Sequence, residues 1–248
     1  MTTRSNLSRP VHDPSKALSG IHKRLSDHYG PLRWWPADGP FEVIVGAVLT
    51  QNTAWGNVEK ALSNLKRADL MKPALLRALP LDDLAEHIRP SGVFRVKARR
   101  LQALLTWLGD DWEVKLAGEL AAVRSELMAV PGVGPETADA ILLYAADRPT
   151  FVIDAYTRRI LDRVGIEPEE RTYQGYRRLF MDNIPADARQ FNEYHAQLVQ
   201  LGKDFCRPAP KCGGCPLQQV CATGVLGRPV GRPSTPARLH DGVVLLWA

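Results

Sequence analysis

A chain of 248 residues, 45% of them hydrophobic, has room for one large domain or two small ones and enough apolar side chains for a real core. Its net charge of +5 permits a polyanionic partner without requiring one. No apolar run reaches the length of a membrane span, and the polar stretch Met1 to Arg9 lacks the apolar centre of a signal peptide, so the expected setting is cytoplasmic.

In chain order, residues 1–13 read as disordered. A helix is predicted from Ser15 to Tyr29, with Leu18, Ile21 and Leu25 on one face and Gly30-Pro31 ending it. Trp34-Trp35-Pro36 reads as a packed loop. The apolar run Phe41 to Leu49 fits a buried strand or a buried helix, and the continuation through Val58, Ala61, Leu62 and Leu65 favours helices. Between them Thr50-Gln51-Asn52-Thr53-Ala54-Trp55 is either a functional polar surface or a plain turn. Two short helices follow, Leu75 to Leu79 and Asp82 to Ile88, the second with Asp82 as its N-cap. Pro90-Ser91-Gly92 interrupts the chain before a helix that begins near Val93 and Phe94, with a basic face containing Lys97. Leu116, Leu120, Val123, Leu127 and Val130 recur at intervals of three and four and predict one amphipathic helix. After a glycine turn, a helix carries Ala138, Ile141, Leu142 and Ala145. Further helices are predicted over Tyr156–Val164, Tyr173–Met181 and Ala188–Lys203. A Gly, Pro and Arg-rich tail occupies 222–248. Strand signals are few, so the fold class is all-α.

The turn is Val130-Pro131-Gly132-Val133-Gly134-Pro135-Glu136-Thr137-Ala138. Gly132 and Gly134 permit positive φ, and Pro135 suits a first helical position. The outward N–H groups of such a turn form an anion seat. Gly-x-Gly with an acid some twenty residues on also occurs in dinucleotide-binding loops, but those follow a strand. Here the pair follows an amphipathic helix, and Thr137 stands where a third glycine belongs. Asp154, in Phe151-Val152-Ile153-Asp154, precedes another helix and is a cap, a catalytic carboxylate, or both. Arg158 and Arg159 just beyond it face either phosphate or solvent.

All four cysteines, Cys206, Cys212, Cys215 and Cys221, lie in one segment with the pattern C-x5-C-x2-C-x5-C. In a reducing compartment this clustering predicts a metal centre. Zinc ribbons use two separated C-x2-C pairs, whereas this pattern favours a [4Fe–4S] cluster. Lys203, Arg207 and Lys211 in or beside the loops are candidates for a DNA backbone.

The order PGVGPETA, then VID, then the clustered cysteines resembles the helix-hairpin-helix DNA glycosylases, specifically the endonuclease III branch, over about residues 15 to 221. The resemblance implies two helical lobes with a DNA-binding groove between them. One is a six-helix barrel carrying the hairpin, residues 32–149; the other is a [4Fe–4S] lobe made of 14–31 and 150–221. It implies that Gly132 and Gly134 grip a phosphate and that Asp154 promotes cleavage of the base–sugar bond. Gln51, with Asn52 beside it, would fill the gap left by a flipped base, and Val93 or Phe94 would act as a wedge. The four cysteines would hold the cluster, the partner would be double-stranded DNA with a damaged base, and the protein would act as a monomer. Its setting would then be a bacterial-type cytoplasm, associated with the nucleoid through DNA.

Three departures narrow the expectation. Glu136 stands where endonuclease III has its lyase lysine, and a carboxylate cannot form a Schiff base. Tyr156 replaces a histidine two residues after the aspartate, which makes it a pocket residue beside Glu136 and leaves the damaged base open. The first cysteine gap is one residue shorter. The expected activity is therefore a monofunctional DNA glycosylase. The alternatives are a bifunctional endonuclease III with lyase activity and a non-catalytic binder of DNA structure.

Overall fold

A computed structural model describes residues 13–32 and 35–227, and every regular element among them is helical. Trp34, the expected disorder of 1–12 and the tail from Arg228 onward lie outside the described residues. None of the described helices is long and apolar enough to cross a membrane.

The helices form where side chains can satisfy their open ends. Helix α1, Pro14–Tyr29, begins at Asp13, whose carboxylate accepts from the Lys16 N–H at 3.2 Å. Asp13, expected in the disordered segment, is thus a cap. Prolines stand at the first turns of α2 (Pro40–Leu49) and α4 (Pro73–Ala78), where no backbone donor is lost. Helix α3 is Trp55–Arg67 and α5 is Leu81–His87. Pro80 rather than Asp82 precedes α5, and Asp82 sits in its first turn, where a negative charge suits the helix dipole. A 3-10 turn at Arg89–Ser91 leads into α6, Phe94–Leu108.

The single amphipathic helix expected around Leu116 to Val130 is two helices, α7 (Trp112–Leu116) and α8 (Leu120–Ala129). Glu119 divides them: both its carboxylate oxygens accept backbone N–H groups, of Ala121 at 2.9 Å and Ala122 at 2.7 Å. Leu116, Val123, Leu127 and Val130 are buried as the spacing predicts, but Leu120 is only half-buried. After the hairpin, α9 (Pro135–Ala140) runs into a π-helical turn, Ile141–Ala145. Helices α10 (Ala155–Val164), α11 (Tyr173–Met181) and α12 (Ala188–Asp204) follow the predicted spans closely. The start of the expected tail is a short helix, α13, Ala222–Leu226.

The chain divides into two compact units. One holds the described residues from Arg33's successors at Trp35 to Ala155, with Asp187–Asn192. Its centre is α2, apolar all round and buried from Glu42 to Leu49, as a helix enclosed by neighbours must be. Glu42, the polar exception, is paired with Lys66 at 2.7 Å and accepts the Asp38 N–H at 2.9 Å. The Phe151–Asp154 segment belongs to this unit, with the Phe151 ring edge-on to Phe191 at 5.4 Å.

The other unit holds the described residues up to Leu32, Tyr156–Ala186, and those from Glu193 on. Here α1 packs on α12: His22 stacks on Tyr194 at 4.5 Å, and the buried Tyr194 hydroxyl donates to the Leu18 carbonyl at 2.9 Å. Gln197 donates to the Gly30 carbonyl at 3.0 Å, fixing the end of α1.

Candidate functional site

The hairpin is built as a braced turn. Gly132 has φ +86°, a conformation that glycine adopts without strain. Gly134, expected to share it, is extended at φ −88° and serves as the N-cap residue of α9, with Pro135 in the first turn. Three side chains hold the turn. Gln51 is 2% exposed; its Nε2 donates to the Gly132 carbonyl at 3.0 Å and to Thr137 Oγ1 at 3.2 Å, and its Oε1 accepts from Arg100 at 2.6 Å. The gap-filling role drawn for Gln51 thus requires its amide to leave three partners. Asn52 beside it is exposed, with φ +52°.

Sequence patterning did not reveal what anchors the hairpin from beneath. Arg124 on α8 makes a two-pronged ion pair with fully buried Asp139 on α9, at 2.8 and 2.9 Å, and the Thr150 hydroxyl donates to the same carboxylate at 2.7 Å. Removing one partner of a buried pair leaves an uncompensated charge. Asp139→Ala is therefore expected to cost about 3–5 kcal/mol, measured by urea unfolding. A loss below about 1 kcal/mol would show that the pair does not anchor the turn.

At the start of α6, Val93 is 64% exposed and has φ +43°, a left-handed conformation unfavourable for a β-branched residue. Phe94 is half-buried, its ring flanked by the guanidinium groups of Arg89 at 5.7 Å and Arg95 at 5.4 Å. Of the two wedge candidates, Val93 is the one that projects. Lys97, expected on a basic DNA-facing surface, is buried, and its ammonium donates to the Leu49 carbonyl at 2.8 Å and the Ser91 carbonyl at 2.5 Å. Burial, and secondarily the charge of Arg100, push its pKa down to about 8. The side chain is a strut between α2 and the turn before α6, not a phosphate ligand.

Glu136 lies in the first turn of α9 and is buried at 4% exposure. Asp154, 2% exposed, ends the buried run Phe151-Val152-Ile153 and immediately precedes α10. Both carboxylates belong to the hairpin's unit. Trp35, expected in a packed loop, belongs to an aromatic trio in that unit whose third member, Tyr144, the sequence does not point to. Trp35 lies against Gly46, 5.9 Å from Trp55 and 5.1 Å from Tyr144, and the last two are half-exposed.

In the other unit, half-buried Tyr156 rests on Gly202 so closely that a Cβ there would stand 2.2 Å from its ring, and the Arg159 guanidinium lies 4.9 Å over the same ring. Arg158 does not project freely; it lies over Tyr173 at 5.9 Å and Tyr176 at 5.7 Å. Lys203 is half-buried and Lys211 exposed. Two arginines that the cysteine pattern does not reveal clamp that segment. Arg159 donates to the Cys206 carbonyl at 2.7 Å. Arg163 donates to Cys206 Sγ at 3.3 Å and to the carbonyls of Arg207 at 2.6 Å and Pro208 at 2.8 Å.

Each of the four cysteines is half-buried. Burial pushes the Cys215 thiol up to about 11, and Cys206, Cys221 and Cys212 add smaller upward contributions in that order. Cys221 is raised for the same principal reason. The thiols thus lie within each other's electrostatic reach, although no group of three or more ligating side chains among the described residues is arranged to hold a metal ion. Chemically the set fits a sulfur-ligated cluster: four thiols, and no cysteine elsewhere in the chain.

The family profile described as HhH-GPD superfamily base excision DNA repair protein matches residues 45–186, which include the hairpin, Glu136 and Asp154. A Methanocaldococcus jannaschii protein provisionally named a DNA repair glycosylase is 42% identical over 206 residues, covering 81% of this chain and 94% of its own. Among solved structures, H. pylori 3-methyladenine DNA glycosylase bound to 1,N6-ethenoadenine has a TM-score of 0.65 at 30% identity, covering 77% of this chain and 97% of that one. A trapped endonuclease III–DNA covalent intermediate has a TM-score of 0.72 at 25% identity, covering 86% and 98%.

Proposed function

This chain belongs to the HhH-GPD superfamily of base excision DNA repair proteins and is a DNA glycosylase, and we propose that it hydrolyses the bond between a damaged base and its sugar without going on to cleave the strand. The observation that carries this reading is Glu136, a buried carboxylate in the first turn after the hairpin, where the endonuclease III resemblance expects an amine. A carboxylate has no nitrogen with which to form a Schiff base at C1′ of the sugar, so strand cleavage by that route is closed. Release of free base from a lesion duplex, with the strand whole until alkali is added, tests the proposal.

In this reading Asp154 is the catalytic carboxylate. As the base departs, positive charge develops on the sugar, and a preformed negative charge in a water-poor setting stabilises that charge most in the transition state. The enzyme must first flip the base out of the duplex at a cost of a few kcal/mol. Val93, exposed and strained at the tip of its turn, is the proposed wedge that offsets part of that cost, and the turn at Gly132–Gly134 is the proposed phosphate grip. Glu136 is proposed to shape the pocket, Tyr156 to stack on a base, Asn52 to contact the DNA, and Lys203 and Lys211 to contact its backbone. The protein is proposed to act as a monomer.

An alkylated purine is the substrate class we place first. The 30%-identical structure was bound to 1,N6-ethenoadenine, and Trp55 and Tyr144 are half-exposed aromatic side chains of the kind that stacks on flat bases. The likeness to a covalent endonuclease III–DNA intermediate keeps a bifunctional enzyme as the second reading.

Cys206, Cys212, Cys215 and Cys221 would hold the [4Fe–4S] cluster, with Arg159 and Arg163 clamping the first loop. The cluster would supply a cross-link between the end of α12 and the start of α13. Purified protein is accordingly expected to be yellow-brown and to contain iron and sulfide; a colourless protein carrying zinc would refute the assignment.

A further inference from the structure

Arg100, on α6, braces Gln51 but has no contact with DNA in the readings above, and its side chain lies against the hairpin glycine. A Cβ at Gly132 would stand 2.2 Å from Arg100 Cγ, 2.5 Å from Cδ and 2.8 Å from Nε, so only glycine allows this approach. The guanidinium is aimed by Gln51. The Gln51 amide cannot be reversed, because its Nε2 serves the two acceptors Gly132 O and Thr137 Oγ1 and its Oε1 is thereby left facing Arg100.

That single hydrogen bond uses one of the five N–H donors of the guanidinium. No carboxylate forms an ion pair with Arg100 among the described residues. Lys97, one turn earlier on the same helix, is a second cation, and among the described residues its ammonium is held by two carbonyl oxygens. Two neighbouring cations with no carboxylate partner among the described residues favour an added anion, and a half-buried guanidinium with open donors is suited to the paired oxygens of a phosphate.

We propose that Arg100 is a DNA-phosphate ligand, aimed across the hairpin by Gln51. The proposal rests on the DNA glycosylase reading and adds to it a residue and its contact. In place of the expected Lys97, it makes Arg100 the cation that α6 offers to the backbone.

The test is the dependence of duplex affinity on salt, measured with an undamaged oligonucleotide. Each phosphate neutralised contributes about 0.9 to the slope of log K against log salt. Arg100→Leu, which keeps the apolar packing over Gly132, is expected to flatten the slope by about that amount. Arg178→Leu removes the same charge from α11, where Arg178 is paired with Glu170 at 3.3 Å, and is expected to change the slope far less. Thermal unfolding confirms that each variant is folded, and Arg100→Gln is measured in the same way if the leucine variant is not. A folded Arg100 variant with the parental slope, or a loss equal to that of Arg178→Leu, overturns the proposal while the glycosylase reading stands. A parent that binds no duplex at any salt overturns both.

Discussion

Asp154→Asn is expected to lower the rate of base release by about a thousandfold or more, roughly 4 kcal/mol of barrier, while duplex affinity is retained. The substitution is nearly isosteric, so the buried Phe151–Asp154 run keeps its packing. What disappears is the negative charge, which matters only once positive charge develops on the sugar. Affinity for undamaged duplex should be equal or slightly higher, because a carboxylate repels phosphates. Single-turnover base release at saturating enzyme, with binding measured in parallel, separates the two effects. Release at the parental rate would remove Asp154 from the chemistry, and equal losses of binding and release would make its role one of folding or docking.

The second large effect concerns Glu136. The parent is expected to give no borohydride-trapped adduct with duplex containing an abasic site or a lesion, since trapping needs an amine joined to the sugar. Glu136→Lys places an amine in the first turn of α9, at a buried position that lowers the proton affinity of an ammonium and so favours the nucleophilic form. That variant is expected to gain a trapped adduct and strand cleavage without alkali. A trapped adduct with the parent would overturn the monofunctional reading. Failure of Glu136→Lys to trap would show that this position does not face the sugar.

Local elements were legible because helical periodicity is a local property. Leu18, Ile21 and Leu25 on α1, and Val58, Ala61, Leu62 and Leu65 on α3, are buried as their spacing predicts. The same reasoning failed at Glu119. Its apolar neighbours keep their interval across the break, and only the side-chain cap at Ala121 and Ala122 shows that one helix has ended and another begun. Lys97 was misread because a basic residue near other basic residues looks like a surface, whereas two buried carbonyls hold it inside.

Candidate site residues can be named from the sequence where a motif fixes both type and spacing, as in the hairpin, Asp154 and the cysteines. Their supports cannot. Arg124 meets Asp139 fifteen residues on, Gln51 meets Gly132 eighty-one residues on, and Arg163 meets Cys206 forty-three residues on. Such pairs follow no period, since tertiary packing alone brings the partners together. The clamp of Arg159 and Arg163 shows the same limit: the cysteine pattern suggests a ligand set but says nothing of what holds the first loop.

The central claim is hydrolytic removal of a damaged base, and the most direct test is mass-spectrometric detection of free base after incubation with duplexes that each carry one defined lesion. The panel should span alkylated purines, oxidised pyrimidines and deaminated mismatches. The expected result is free base from a duplex carrying an alkylated purine such as 1,N6-ethenoadenine, with a strand that breaks only after alkali. Binding to these duplexes with no base released from any of them would contradict the claim and leave a DNA-binding protein in its place.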